Sequence, residues 1–513
     1  MIAVAQKLPK RHLFLLFFAA LIIRCFVFFA FVQYEGRYQQ ADSMDYHNCA
    51  IGLWWGTGMH MADSHEPIFW RTPGYPLYLA LFYTLFPEKK TGFADWRKAH
   101  TAAIVVQIIL SSLIPILLWL LAMALTNSSI LALLLAWISV LHPGFVLAST
   151  YILTEGLAVV LFLLFLVFFY KQLRAVGEQN FSRLSLLSAA LFLAAYTWMR
   201  PMGQFVAVVA ICILFSFSRD QWKLRMRKVL WFALIFFAAI APWYVRNHNL
   251  TGHWFFCPMS GPYLNSFCAP KIVRTVKEVP LEFAIRLLYK IATERAERAR
   301  KELEGTGYVL ARETICGSIA WPLIKEYPLI FIRDWTKEVL KTTFDLYSYQ
   351  FVAMTNGSFR YDPLEEFLSE KLAACLYKEG VPWWIRLVSY LELIYEILLW
   401  IGLLAGAWLF MLWPLYPGHP EYRASRGVSK DSSIQFAQKL HKSLTMNGLD
   451  ISQLHLLWWQ VAPFIGAVLI MTGGFGYARL RLPVEGLMII LSLTWWLYRV
   501  HDTKHQSLKM IKT

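Results

Sequence analysis

The chain has 513 residues, 58% of them hydrophobic and 16% charged, with a mean hydropathy of +0.46. Soluble domains carry about a quarter charged residues, so this composition excludes a soluble globule and implies a polytopic membrane protein. The net charge of +16 and pI near 9.4 would suit a nucleic-acid binder, but the basic residues fall in short loops between apolar runs. That is a topology signal, and no nucleic acid is expected as a partner.

Lys7, Lys10 and Arg11 precede an apolar run over 13–32, which places this end in the cytoplasm by the positive-inside rule. The run ends without a small-residue cleavage site and reads as a retained span. The next loop, 34–98, is then outside. It holds Asp42, Asp45, Tyr46 and His47, followed by Arg71-Thr72-Pro73-Gly74-Tyr75-Pro76. Charge placed where a chain leaves the bilayer is a functional-site hypothesis by default. On a helix Asp42, Asp45 and Tyr46 share a face, flanked by Ile51, Leu53, Trp54 and Trp55 as in an interfacial helix. Alternatively Asp42 only caps that helix and the tryptophans only anchor it. The stretch 74–86 is too short for a hydrocarbon core of about 30 Å and reads as interfacial.

Further crossings are expected over 99–125, 130–149 and 155–170, the last meeting the basic loop of Lys171, Arg174 and Arg183. Two short runs, 184–199 and 204–217, join at Arg200-Pro201 and lead to the densest basic loop, Arg219, Lys223, Arg225, Arg227 and Lys228. The run 229–245 goes out again and ends in Pro242-Trp243-Tyr244-Val245-Arg246-Asn247. Hydropathy falls over 247–382, which reads as a soluble extracytoplasmic domain. Spans follow within 383–415, 454–472 and 483–498. The cytoplasmic loop 416–452 between them bears Arg423, Arg426, Lys430, Lys439 and Lys442, charges that could equally bind anionic membrane lipids. The expected fold is all-α, with about ten spans. It has three parts: a catalytic membrane module 1–246, an outer domain 247–382 and a C-terminal membrane module 383–513.

These elements, in order, resemble the polyprenyl-phosphate-sugar-dependent glycosyltransferases of the C-type (GT-C) fold, in the branch of protein O-mannosyltransferases and aminoarabinose transferases. The resemblance rests on Asp42 four residues before Tyr46, on the Arg71 to Pro76 element, on Arg200-Pro201, on Arg246-Asn247, and on Arg479-Leu480-Arg481-Leu482-Pro483. Leu480 departs from the pattern, where an aromatic is common. The resemblance implies inverting hexosyl or pentosyl transfer from a polyprenyl-phosphate-linked sugar to a lipid, glycan or protein acceptor. The transfer would take place on the outer face of a membrane such as the bacterial inner membrane.

Such a transfer needs a base on the acceptor and positive charge on the departing phosphate, but no proton donor for that leaving group. The resemblance makes Asp42 the base and Glu155 a second acid that binds acceptor or metal. Arg71, Tyr46, Tyr75, Arg200, Arg246, Arg479 and Arg481 become donor-phosphate or substrate contacts. The plainer alternatives are a first-turn helix charge for Glu155 and interfacial anchoring for the arginines. An acid that some members use for metal is replaced here by Trp70. His47, His60 and His65 fit no standard spacing, so a divalent metal ion is left open. Cys257, Cys268, Cys316 and Cys375 could form bridges, Cys257 with Cys268 being nearest, or stay thiols. Two rival functions are a transporter or lipid flippase, which expects mid-span charge and inverted repeats, and a scaffold in which Asp42 is dispensable.

Overall fold

The computed structural model describes residues 10–33, 38–39, 42–60, 67–87, 95–177, 182–302, 306–351, 381–412, 451–472 and 480–510. Its regular elements are helices. Among the described residues five are long and apolar enough to cross a membrane: Lys10–Val32, Trp96–Thr126, Glu155–Arg174, Trp222–Thr251 and Trp383–Trp408. Five shorter apolar helices accompany them: Ser129–Leu141, Arg183–Met199, Gly203–Phe217, Leu456–Met471 and Leu482–Trp496. The chain is an all-helical, multi-pass membrane protein.

Local chemistry explains where the elements begin and end. Helix α1 (Lys10–Val27) continues into a π-helical turn over Phe28–Val32. The first loop folds into α2 (Ser43–Trp54) and α3 (Gly74–Leu85), with Pro76 in the first turn of α3, where its missing N–H costs nothing. Asp95 caps α4 (Trp96–Ser111) by accepting from the Lys98 amide at 3.1 Å. Helix α5 (Ile114–Thr126) closes on Asn127, left-handed at φ 54°, a conformation Asn tolerates.

The run expected as one crossing over 130–149 is broken into α6 (Ser129–Leu141) and α7 (Pro143–Ala148). Proline drives its predecessor out of the α region, and His142 accordingly sits at φ −62°, ψ 117°. The same rule separates α9 (Arg183–Met199) from α10 (Gly203–Phe217). Arg200, before Pro201, is extended at φ −141°. Between them and the break lies α8 (Glu155–Arg174). Helix α11 (Trp222–Thr251) runs beyond the expected 229–245 at both ends and stops at Gly252, φ 74°.

Helices α5, α6, α8 and α9 pack around fully buried Leu118, Leu135, Phe162, Leu166 and Leu193. Phe165 and Phe169 of α8 reach Phe232 of α11 and Phe464 of the helix Ile451–Thr472, with ring centroids 5.8–6.5 Å apart. Inside a bilayer lipid tails are as apolar as these rings, so close packing holds such helices together.

Over its described part, the stretch expected to be soluble is helical and mixed in character. It contains α12 (Ser260–Tyr263), α13 (Ala269–Lys277), α14 (Leu281–Glu302), α15 (Thr306–Glu326) and α16 (Pro328–Phe344). These surround a separate core that includes Cys268, Ile272, Ala284, Leu288 and Ala320. Thr314–Glu326 and Pro328–Phe344 together have the apolarity of a span but bend by 108° between them. The polar residues of α14 lower the average hydropathy and hide this pair in the sequence.

Candidate active site

The first loop is closed by Arg71. Its Nη2 donates to Asp42 Oδ1 at 2.8 Å and to Asp45 Oδ2 at 2.8 Å, and its Nε donates to Asp45 Oδ2 at 2.9 Å. Asp42 occupies the N-cap position of α2 yet makes no side-chain cap bond, so its carboxylate is turned to Arg71 rather than spent on the helix end. The Arg71 guanidinium also lies 5.1 Å over the Tyr46 ring. Burial alone would lower the Arg71 pKa, but the Tyr46, Asp42 and Asp45 oxygens outweigh it and hold the group charged, above its ordinary range.

A second ion pair stands beside the first. Arg200 Nη2 meets Glu155 Oε1 at 2.8 Å, and Arg200 Nε donates to Thr154 Oγ1 at 3.2 Å. Both partners are buried, Glu155 at 3% exposure and Arg200 at 7%. Tyr46 lies between the pairs, within electrostatic reach of Arg71, Glu155, Asp42 and Arg200, and burial raises its own pKa. Its ring packs edge-on to Tyr75 at 5.3 Å.

Arg246 completes the group. It is stacked over Trp243 at 4.5 Å and Phe69 at 5.1 Å, and its Nη1 donates to Asn247 Oδ1 at 2.8 Å and to the Ile68 carbonyl at 3.4 Å. Among the described residues Arg246 has no carboxylate partner. Cys49, pushed up to about 12 by burial, feels Asp45, Arg71 and Arg246 together, which places Arg246 beside the first pair. Asp42, Tyr46, Arg71, Tyr75, Glu155, Arg200 and Arg246 thus form one neighbourhood.

Arg481 belongs to another. It is fully buried, donating through Nε to Glu485 at 2.8 Å, through Nη2 to Glu396, and through Nη1 to the Thr342, Thr343 and Asp345 carbonyls. Tyr347 lies under its guanidinium at 5.0 Å and donates to Glu485 at 3.2 Å. Tyr395 donates to the same carboxylate at 2.8 Å, and His142 Nε2 lies 3.5 Å from it. Glu392 accepts the Tyr347 and Ser348 amides. Among the described residues every bond of Arg481 is internal, so the guanidinium is already satisfied without a phosphate. Arg479, His65, Cys375 and most of the 416–452 loop lie outside the described residues.

Several residues that shape the site were not singled out in the sequence. Gln107 of α4 is fully buried and donates to the Ala148, Ser149 and Tyr151 carbonyls at 2.9–3.2 Å, while accepting from Tyr75 at 3.1 Å. A buried amide inside a span was the available signal. Glu392 and Glu396, four apart in the apolar span Trp383–Trp408, carried the same one. His47 Nδ1 bonds Tyr83 at 2.8 Å, and His60 Nε2 bonds Thr57 at 2.5 Å. Among the described residues no three His, Cys, Asp or Glu side chains converge as metal ligands. The described residues therefore do not fit a metal centre, and no chemical step is assigned to one. Cys257 and Cys268 are not bridged; the Cys257 thiol points at the Trp70 carbonyl, 3.4 Å away.

Residues 60–253 match the family model described as dolichyl-phosphate-mannose-protein mannosyltransferase. The match covers well under half of the chain and agrees with the resemblance carried by the motifs. The matched stretch holds Arg71, Tyr75, Glu155, Arg200 and Arg246; Asp42, Tyr46 and Arg481 lie outside it. No curated protein matches.

Among solved structures the chain is similar to the oligosaccharyltransferase AglB of Archaeoglobus fulgidus, in complex with an inhibitory peptide and a dolichol-phosphate. That likeness has a TM-score of 0.49 and 12% identity, covering 98% of this chain and 52% of that one. It is also similar to ArnT of Cupriavidus metallidurans bound to undecaprenyl phosphate, with a TM-score of 0.39 and 11% identity, covering 94% of this chain and 79% of that one. This chain spans about half the length of the AglB chain.

Proposed function

We propose that the mannosyltransferase-family chain is an integral-membrane glycosyltransferase of the C-type fold. It moves a sugar from a polyprenyl-phosphate donor to an acceptor hydroxyl or amine on the extracytoplasmic face, with inversion. One observation carries this reading. Acids and arginines that stand far apart in sequence, Asp42 with Arg71 and Glu155 with Arg200, meet around a single tyrosine, and most of them fall within the family-matched stretch.

In this proposal Asp42 takes the acceptor proton while the acceptor oxygen or nitrogen bonds to the anomeric carbon. The bond from that carbon to the phosphate oxygen breaks, and the electron pair leaves with the lipid phosphate. Arg246, which no carboxylate neutralises among the described residues, and Arg200 Nη1, buried without an acceptor there, are the groups open to that phosphate. Guanidinium forks suit its oxygens. Arg71 holds the Asp42 and Asp45 carboxylates in place until substrate enters. The satisfied Arg481 has a packing role in this scheme, not a phosphate contact.

Outward placement of the first loop and of Glu155 is supported by the basic short loops on the opposite side. The test is direct. Protein in lipid nanodiscs is incubated with radiolabelled polyprenyl-phosphate sugars and a membrane extract. Label should pass to an acceptor with the wild type and not with Asp42→Asn; transfer by both, or by neither, overturns the proposal.

A further inference from the structure

Helices α12, α14 and α15, the π-helical turn Leu264–Cys268 and the residue before Arg71 line an open cavity of about 310 Å³, at the small end of ligand pockets, which run to about 300–1,000 Å³. Its wall includes Trp70, Asn265, Ser266, Tyr289, Thr293 and Cys316, and among the described residues no charged side chain lines it. Asn265 is only 4% exposed, and its Oδ1 has no hydrogen-bond donor among the described residues. A buried amide oxygen is costly to leave unpaired, and because Asn265 lines the cavity, a small rotation of its side chain would bring this oxygen to a donor held there. The cavity is joined to the reacting groups through Trp70. The Cys257 thiol bonds its carbonyl, and the next residue, Arg71, holds Asp42 at 2.8 Å.

We propose that this cavity binds a neutral, hydroxyl-rich sugar ring of the acceptor, so that the acceptor is a glycan. The inference rests on the glycosyltransferase reading and names the acceptor class of that same site. A pyranose has an apolar C–H face, which packs on an aromatic ring, and a rim of hydroxyls. Trp70 and Tyr289 supply the rings. Asn265 Oδ1 accepts one hydroxyl, and Ser266 and Thr293 can each donate or accept. A phosphorylated lipid head or a carboxylate-bearing peptide would meet no cation among the described residues of this wall, and burying such charge unpaired is unfavourable.

The experiment measures binding without donor, using the full chain in nanodiscs and neutral trisaccharides of the gluco, manno and galacto series. A serine- and threonine-containing peptide and a phosphorylated disaccharide lipid are run beside them. At least one neutral trisaccharide should bind. Asn265→Leu should weaken it tenfold or more, Thr293→Val should weaken it less, and Cys316→Trp, which fills the cavity, should abolish it. Absence of trisaccharide binding, binding unmoved in every variant that keeps the wild-type melting temperature, or binding of only the peptide or the charged lipid overturns the inference. The two readings fail separately. Sugar binding without any transfer sinks the glycosyltransferase reading, whereas transfer to an acceptor other than a glycan sinks the cavity assignment alone.

Discussion

The Ser43 hydroxyl donates to the Ile152 carbonyl at 2.8 Å, fastening the residue after Asp42 to the loop that presents Glu155. Thr72 repeats the device one pair on, donating to the Met199 carbonyl at 2.9 Å, next to Arg200. In both places the neighbour of a charged residue is the tether, which leaves the charged group to the site. The acids and arginines are therefore held to one another through backbone carbonyls as well as through their own ion pairs, and preorganisation of this kind is what charge stabilisation requires.

Asp42→Asn should lower transfer by roughly two to four decades, the range for loss of a positioned acid–base group, with only a small change in melting temperature, because no cap bond is lost, the amide oxygen can still accept from Arg71, and Arg71 keeps its bonds to Asp45. Asp45→Asn weakens an Arg71 contact and should cost on the order of tenfold. Steady-state transfer kinetics with thermal unfolding of both variants check the order. A dead Asp45→Asn beside an active Asp42→Asn refutes the assignment of the base.

Arg246→Gln should raise the donor KM with little change in melting temperature, since the side chain has no carboxylate partner among the described residues. Arg200→Gln should raise the donor KM and, in addition, destabilise by about 3–5 kcal/mol, the usual result of leaving one member of a buried pair uncompensated. Adding Glu155→Gln should recover part of that loss. Donor titrations and unfolding curves on the two single variants and the double variant separate the roles.

Gln107→Leu leaves the Ala148, Ser149 and Tyr151 carbonyls without their amide donor. We expect kcat to fall at least tenfold, with a smaller effect on donor KM, because the loop leading to Glu155 loses its support. Gly156→Ala should act alike, as its Cβ would lie 2.8 Å from the Ala148 carbonyl oxygen and 3.0 Å from Gln107 Nε2. Gln107→Glu should not rescue, since an ionised carboxylate donates nothing.

Burial lowers the His47 pKa from 6.5 to about 4. The unfolded chain then binds the proton more readily than the folded one, so this contribution to stability is present above pH 6.5 and is lost as pH falls through about 4. Melting temperatures should drop over that window, and His47→Gln, which does not titrate, should flatten part of the drop.

Arg481→Met should destabilise by about 3–5 kcal/mol, because Glu396 and Glu485 stay buried without their cation. The triple variant Arg481→Met, Glu396→Gln, Glu485→Gln should regain much of it. If Arg481 instead contacts donor phosphate, Arg481→Met will keep its melting temperature and raise the donor KM.

What could be read in the sequence was local. Apolar runs gave the five helices that, among the described residues, are long and apolar enough to cross a membrane, against about ten crossings expected, and the Pro-containing motifs pointed to Arg71, Arg200 and Arg246, because proline fixes backbone geometry wherever it stands. The break at His142 was also written in Pro143, but an apolar run on either side masked it. Pairing was not legible. Nothing in the spacing of Asp42 and Arg71, or of Glu155 and Arg200, says which acid takes which base, since packing of helices remote in sequence decides it. Arg481 illustrates the limit. Its motif suggested a surface contact, whereas Glu396, 85 residues earlier, draws it inside.

The buried group around Arg481 joins His142 to Glu392, Glu396 and Glu485, and this has a consequence for biogenesis. The last charged member of the proposed catalytic group, Arg246, leaves the ribosome well before Arg481. The interval is 235 residues, on the order of 10–50 s at synthesis rates of about 5–20 residues per second. During that time Glu392 and Glu396 enter the translocation apparatus with no arginine to meet them. A nascent chain arrested just before residue 481 should therefore expose a half-paired acidic helix to quality-control proteases, even though its catalytic residues have all been made.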